Sequence, residues 1–172
     1  MLLNKDQVDL IKQNKICVVK NFVSLNDIYD ANFISNLLEE NTLKVAQKTF
    51  SGNLTDVFQI FKVSDTRKEF KTFFDFLSKI FKYERNKHDE VDLFFGFVSQ
   101  VGGPHVDPED VFIIGLQGTT IYRAFNEHKE WEDYYVEKGD MIFIPKGLKH
   151  KAIGLTPRII ASIGFYGERI DG

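Results

Sequence analysis

The sequence predicts a mainly β, α+β fold: a jelly roll with helices packed on its outer face. Three observations lead there. From Val91 onward, short apolar segments recur at even spacing with turn residues between them, the pattern of a sandwich or barrel of short strands. Residues 1–90 instead mix helical patterns with a few strands. One of those helical patterns carries a phenylalanine stripe wide enough to cover a sheet.

Taken in order, Asp6–Gln13 places Val8, Leu10 and Ile11 at helical spacing, and Ile16–Lys20 is β-branched and strand-like. Ser24 is placed to cap a helical segment through Asp30, and a further helix is predicted over Phe33–Glu39. Lys44–Phe50 and Asp56–Val63 alternate as strands do. Thr66–Tyr83 is the clearest helix, with Phe70, Phe73, Phe74, Leu77, Ile80 and Phe81 on one stripe. That stripe serves either a partner or, more simply, the outside of the sheet. Strands follow at Leu93–Ser99, Val111–Leu116, Thr119–Phe125, Tyr134–Val136, Met141–Ile144, Lys149–Ile153 and Ile159–Phe165. Turns are expected at Gly102-Gly103-Pro104, Gln117-Gly118, Lys138-Gly139-Asp140 and Pro145-Lys146-Gly147. The whole reads as one domain over 1–172, with 1–90 packing on a core of 91–166.

Composition narrows the function classes. The formal net charge of -3 argues against a general electrostatic affinity for nucleic acid or anionic membrane, while leaving room for a local basic groove. The single cysteine, Cys17, lies in an apolar run and reads as a buried structural thiol. No run approaches a membrane span, and the N-terminus lacks the apolar stretch of a signal peptide. The expectation is a soluble, cytoplasmic protein, monomer or homodimer.

The chemistry concentrates in two segments. In an extended strand, residues two apart share a face, so His105 and Asp107 of Gly103-Pro104-His105-Val106-Asp107 present an imidazole and a carboxylate to one point. A third ligand comes from Gly139-Asp140-Met141-Ile142-Phe143-Ile144-Pro145-Lys146-Gly147-Leu148-Lys149-His150, where a glycine–aspartate turn launches a strand and a proline–glycine turn reverses it before His150. A jelly roll can bring these strands together. Two histidines and one carboxylate form the facial triad that holds Fe(II) and leaves open positions for substrate and O₂. Manganese, cobalt and nickel suit the same ligands. His88 and His128 sit among charged residues and read as solvated loop histidines.

The segment Gly102–Ile114 resembles the metal-binding segment of the JmjC-type, cupin-like 2-oxoglutarate oxygenases, most closely their ribosomal-oxygenase branch, whose bacterial members hydroxylate an arginine of a ribosomal protein. Gly139–His150 and the closing Ala161-Ser162-Ile163-Gly164-Phe165 resemble that branch too, so the resemblance covers roughly residues 91–166. It implies a double-stranded β-helix in which His105, Asp107 and His150 hold Fe(II). It also implies 2-oxoglutarate as a chelating co-substrate, and a hydroxylase or demethylase acting on a C–H bond.

This chain departs from the family pattern at one position. The lysine or arginine that anchors the distal carboxylate of 2-oxoglutarate falls, counted without gaps, on Thr120. A hydroxyl cannot supply the charge-assisted pairing that a buried carboxylate favours. Arg158 is the candidate replacement, because it shares parity with Ile160 and Ser162 on the last strand and other branches anchor the co-substrate there. The alternative is an exposed arginine at a strand start. Tyr122 and Ser162 can add hydroxyl hydrogen bonds, whereas Arg123 has the opposite parity and is expected to point outward. Ribosomal oxygenases carry dimerisation and winged-helix regions after the core. The chain's stop at Gly172 weakens the transfer of the ribosomal substrate and would also suit a smaller target, such as a free amino acid, a peptide or a metabolite. Two rivals remain, a metal-dependent cupin enzyme that uses no 2-oxoglutarate and a non-catalytic metal-binding module.

Overall fold

The computed structural model describes residues 3–25, 36, 39, 45–49, 56–60, 68–96 and 98–170; of 45–49, 56–60 and 99–102 it describes the backbone. Helix α1 (Lys5–Lys12) begins at Asn4, whose side chain accepts from the Gln7 amide while the Gln7 side chain accepts from the Asn4 amide. This reciprocal cap satisfies two otherwise orphaned donors. Strand β1 (Cys17–Val19) follows, then β2 (Val45–Thr49), β3 (Asp56–Ile60) and helix α2 (Lys68–Phe81). The remaining strands are β4 (Glu90–Gly96), β5 (Ser99–His105), β6 (Asp110–Gln117), β7 (Thr120–Phe125), β8 (Trp131–Val136), β9 (Met141–Ile144), β10 (His150–Gly154) and β11 (Arg158–Phe165). The helices expected over Ser24–Asp30 and Phe33–Glu39 lie mostly outside the described residues. None of the described helices is long and apolar enough to cross a membrane.

The strands form two antiparallel sheets: a seven-stranded one in the order β1-β9-β6-β11-β4-β3-β2 and a four-stranded one in the order β5-β10-β7-β8. The expected jelly roll is present, and side-chain alternation explains how the sheets stack. On β6, Phe112, Ile114 and Leu116 face outward and join Phe70, Phe73, Phe74, Leu77 and Phe81 of α2 in one apolar cluster. The phenylalanine stripe therefore covers the sheet's outer face. Val111 and Ile113 face the other way and meet Tyr122 and Val136 of the smaller sheet, together with Ile142, Ile144 and Ile160, in the barrel interior. Both faces of β6 and β9 are thus covered, so these strands read as unbroken apolar runs rather than alternating ones. Ring contacts such as Phe74 on Phe165 (4.8 Å) and Phe112 on Phe143 (4.8 Å) fill the outer layer.

One sequence expectation fails here. Gly102-Gly103-Pro104 is not a turn: the three residues continue β5 to His105. Strand β5 is an edge of the small sheet, where a proline's missing donor leaves no ladder bond unmade.

Candidate metal centre

The two metal-motif segments meet at one end of the small sheet. His105 is the last residue of β5 and stands directly opposite His150, the first residue of β10. Asp107 lies two residues past the end of β5, in the connection to β6, rather than within a strand as its spacing suggested. Its backbone carbonyl accepts from the Gly147 amide at 2.9 Å, which ties one motif to the other. Gly147 adopts φ 77, a conformation that an L side chain rarely tolerates. The turn that delivers His150 therefore depends on that glycine. A second tie joins the Lys146 amide to a carboxylate oxygen of Asp110 at 2.9 Å.

The three side chains converge. Nε2 of His150 lies 3.4 Å from Asp107 Oδ2, and Nε2 of His105 lies 3.7 Å from Asp107 Oδ1. One donor atom from each residue falls within 4.8 Å of the others. The opposite ring nitrogens are occupied. Nδ1 of His105 is 3.2 Å from the Gly103 carbonyl and Nδ1 of His150 is 3.0 Å from the Leu148 carbonyl. A carbonyl only accepts, so each Nδ1 carries the proton and each Nε2 is left with its lone pair facing Asp107. Backbone carbonyls commonly fix metal-binding histidines in this tautomer. His150 is buried and His105 exposed, so the cluster sits at the mouth of the barrel. Burial holds the His150 pKa below its ordinary value, against the opposing pull of the Leu148 carbonyl and the Asp107 charge. The donor set, two neutral nitrogens and one carboxylate with protein on one side only, fits a first-row divalent metal.

The other residues singled out from sequence lie deeper along the barrel. On β7, Ala124, Tyr122 and Thr120 stand opposite His150, Ala152 and Gly154 of β10, so Tyr122 and Thr120 continue inward from His150 on its own face. Both are buried. Arg158 opens β11 opposite Gly96 of β4, and it is 6% exposed rather than solvated. A Cβ at Gly96 would meet its guanidinium carbon at 3.2 Å, so the side chain lies along the interior face of β4. Burial lowers the Arg158 pKa, and the nearby Tyr122 raises it. The Tyr122 hydroxyl is itself buried without a hydrogen-bond partner among the described residues, and burial raises its pKa. A buried cation beside a buried hydroxyl with spare capacity suits a carboxylate. Ser162 is half-buried on the same face of β11, opposite Asp92 and Ile113. Arg123 points outward and pairs with Asp133 at 2.5 and 2.7 Å. His88 and His128 are exposed and stand apart from the cluster.

A second carboxylate near the triad was missed. Glu109 faces the interior against Gly164 and accepts from the Tyr166 hydroxyl at 3.2 Å. Burial, and then the Asp107 charge, raise its pKa. No local signal marks Glu109, because residues 106–109 lie outside any strand and strand parity does not carry through them.

Comparison with known proteins identifies the fold. The ribosomal oxygenase YcfD of Escherichia coli superposes with a TM-score of 0.70 at 20% identity, covering 99% of this chain and 53% of that one. Its complex with cobalt and 2-oxoglutarate superposes with a TM-score of 0.68. An oxidoreductase of the 2OG-Fe(II) oxygenase family from Burkholderia pseudomallei gives 0.65 at 11% identity, over 99% of this chain and 97% of its own. This chain has the fold of these oxygenases. Among curated proteins, a probable inactive acireductone dioxygenase 1 of Caenorhabditis elegans is 35% identical over 69 residues, 40% of this chain and 43% of its own length. A second, from Caenorhabditis briggsae, is 33% identical over 64 residues, 37% of this chain and 40% of its own. The chain thus spans less than half the length of the curated relatives it matches, and about half that of YcfD. No protein-family model matches it.

Proposed function

We propose that the chain is the catalytic core of an Fe(II)- and 2-oxoglutarate-dependent oxygenase, a hydroxylase or demethylase acting on a protein side chain, an amino acid or a small metabolite. His105, Asp107 and His150 hold the metal. Arg158 and Tyr122 receive the distal carboxylate of 2-oxoglutarate, with Thr120 and Ser162 as hydroxyl donors beside them. The observation that carries the reading is the pair of imidazoles whose Nδ1 atoms are bound to backbone carbonyls and whose Nε2 atoms converge with Asp107. Structural likeness to oxygenases, one of them solved with cobalt and 2-oxoglutarate, supports it.

Iron and 2-oxoglutarate, when bound, supply the oxidising chemistry; the chain binds and orients them and keeps bulk water out of the barrel. His150 contributes a neutral ligand because its burial disfavours the imidazolium. Tyr122 and Thr120 run from the level of the triad toward Arg158, so a diacid held at the triad by one end would direct its distal carboxylate toward that cation.

Anaerobic titration of the Fe(II)-loaded protein with 2-oxoglutarate tests the proposal. A weak visible charge-transfer band that saturates, and that disappears in His105→Ala, is the expected result. Bound iron without such a band would overturn the co-substrate assignment.

A second reading has its own observations: Thr120 stands where the family places a cation, and the curated relatives are named probable inactive acireductone dioxygenases. In that reading the same three ligands serve a cupin that uses no 2-oxoglutarate, or a metal-binding module without turnover. Succinate release separates the first reading from both. O₂ uptake without 2-oxoglutarate separates the latter two.

A further inference from the structure

Strand β6 begins on a buried acid. Asp110 is 5% exposed and shares its parity with Phe112 and Ile114, so it stands in the apolar layer beneath α2 rather than inside the barrel. A carboxylate withdrawn from water is destabilising unless its oxygens are matched by donors. Three groups meet this one. The Tyr83 hydroxyl donates to Oδ2 at 2.6 Å, the Lys146 amide donates to Oδ1 at 2.9 Å, and the Arg169 guanidinium lies 3.6 Å from Oδ2. Arg169 is fixed in turn. It donates to the Ile11 carbonyl and to the Asn14 side chain at the end of α1, and it lies over the Tyr83 and Phe143 rings.

Asp110 is thus anchored by parts of the chain remote from the metal cluster, and its other oxygen reaches toward that cluster. Lys146 is the second residue of the turn Pro145–Leu148, which the Leu148 amide closes on the Pro145 carbonyl at 3.2 Å. Gly147 takes the third position with φ 77. The two central amides of this turn are consecutive donors: Gly147 to the Asp107 carbonyl and Lys146 to the Asp110 carboxylate. The second is charge-assisted and therefore the stronger kind. Together they fix the turn at two points against the segment that follows His105. His150 lies two residues past the turn.

We infer that Asp110 is a positioning residue for the metal centre: its carboxylate, through the Lys146 amide, sets His150 against Asp107 as a shared metal requires. The inference rests on the reading of His105, Asp107 and His150 as ligands. Apolar side chains of similar volume often stabilise a fold as well as buried ions do. What they cannot supply is a directed bond to the turn amide. Metal ligands must meet within about 0.2 Å of their preferred distances, so a turn held at one point instead of two binds the ion less well.

The experiment titrates the full, metal-free chain with Co(II) and follows the visible absorption of the bound ion, with folding checked by far-UV spectra. Lys146→Pro removes the amide donor at a turn position that proline favours, and should weaken Co(II) binding about tenfold to a hundredfold. Two controls should leave Co(II) affinity unchanged. Glu168→Gln breaks the exposed Lys146–Glu168 ion pair that the proline variant also loses. Leu77→Ala empties the same apolar layer without touching a polar group, and should lower Tm. Tyr83→Phe, which frees Asp110 from behind without touching the turn, should also weaken Co(II) and decides the matter if Lys146→Pro does not fold. No Co(II) bound by the unaltered protein would overturn the ligand assignment and this inference with it. Co(II) bound as tightly by folded Lys146→Pro as by the unaltered protein, or weakened equally by either control, would overturn this inference alone.

Discussion

Replacing Arg158 by alanine separates the inner end of the barrel from its metal end. Arg158 lies beside Gly118 in the turn between β6 and β7, and opposite Gly96 at the end of β4. Thr120 and Gly154 stand opposite one another at that same end, whereas His150 faces Ala124 at the other. Four residues of strand separate the two levels on β10, roughly 13 Å. The substitution removes a buried cation without touching a metal ligand. A hydrogen bond to a charged group contributes about 1.5–3 kcal/mol. At about 1.4 kcal/mol per tenfold, 2-oxoglutarate affinity should fall roughly tenfold to a hundredfold. Anaerobic titration of the charge-transfer band reads that affinity, and cobalt titration should show an unchanged metal site. Gly96→Val gives a second lever. Its Cβ alone would stand 3.2–3.4 Å from the guanidinium atoms, and the added methyls would displace the arginine with its charge intact. If both folded variants bind 2-oxoglutarate as tightly as the unaltered protein, Arg158 is not the anchor.

Other expectations follow from the same geometry. Asp107→Ala and His150→Ala each remove one of three converging donors and should weaken cobalt binding by more than about a hundredfold, read as loss of the visible Co(II) absorption. The depressed pKa of His150 sets a direction with pH: its contribution to the stability of the metal-free protein is fully present above the ordinary value of 6.5 and is lost as pH falls through the lower folded value. Thermal melts of unaltered protein and His150→Gln should therefore converge on acidification, and parallel curves would contradict that direction. Tyr83→Phe deletes a buried 2.6 Å hydrogen bond to Asp110, the residue that also receives the Lys146 amide. A loss of about 2 kcal/mol is expected, seen as a Tm lowered by roughly 4–8 °C. Phe112→Ala empties the centre of the outer layer, where Phe81, Phe143 and Phe165 surround it, and should cost about 3–5 kcal/mol in a denaturant titration.

Local pattern determined a large part of this protein. Turn residues and short apolar runs place β6, β7, β9 and β11 within a residue or two of their observed bounds, because glycine and proline act through backbone geometry that needs no tertiary context. The stripe of α2 is legible for the same kind of reason: its period of about 3.6 residues declares a buried face. Parity along β11 was enough to turn Arg158 and Ser162 to the side of Ile160. The residues of the candidate metal cluster were also legible as a set that converges, since their types and order suggest it.

Long-range pairing decided the rest. The alignment of β5 with β10 sets His105 opposite His150, and the Gly147–Asp107 backbone hydrogen bond ties the segment carrying the carboxylate to the turn before His150. The continuation of β5 through Gly102-Gly103-Pro104 was hidden because an edge strand tolerates residues that a central strand does not. Glu109, with its partner Tyr166, is far from it in sequence and near it across β11. The three groups that meet on Asp110 come from distant parts of the chain, and no window of sequence contains them together. Strand register is a global property, set by which apolar faces must meet in the interior. It therefore emerges only when the two sheets close on each other.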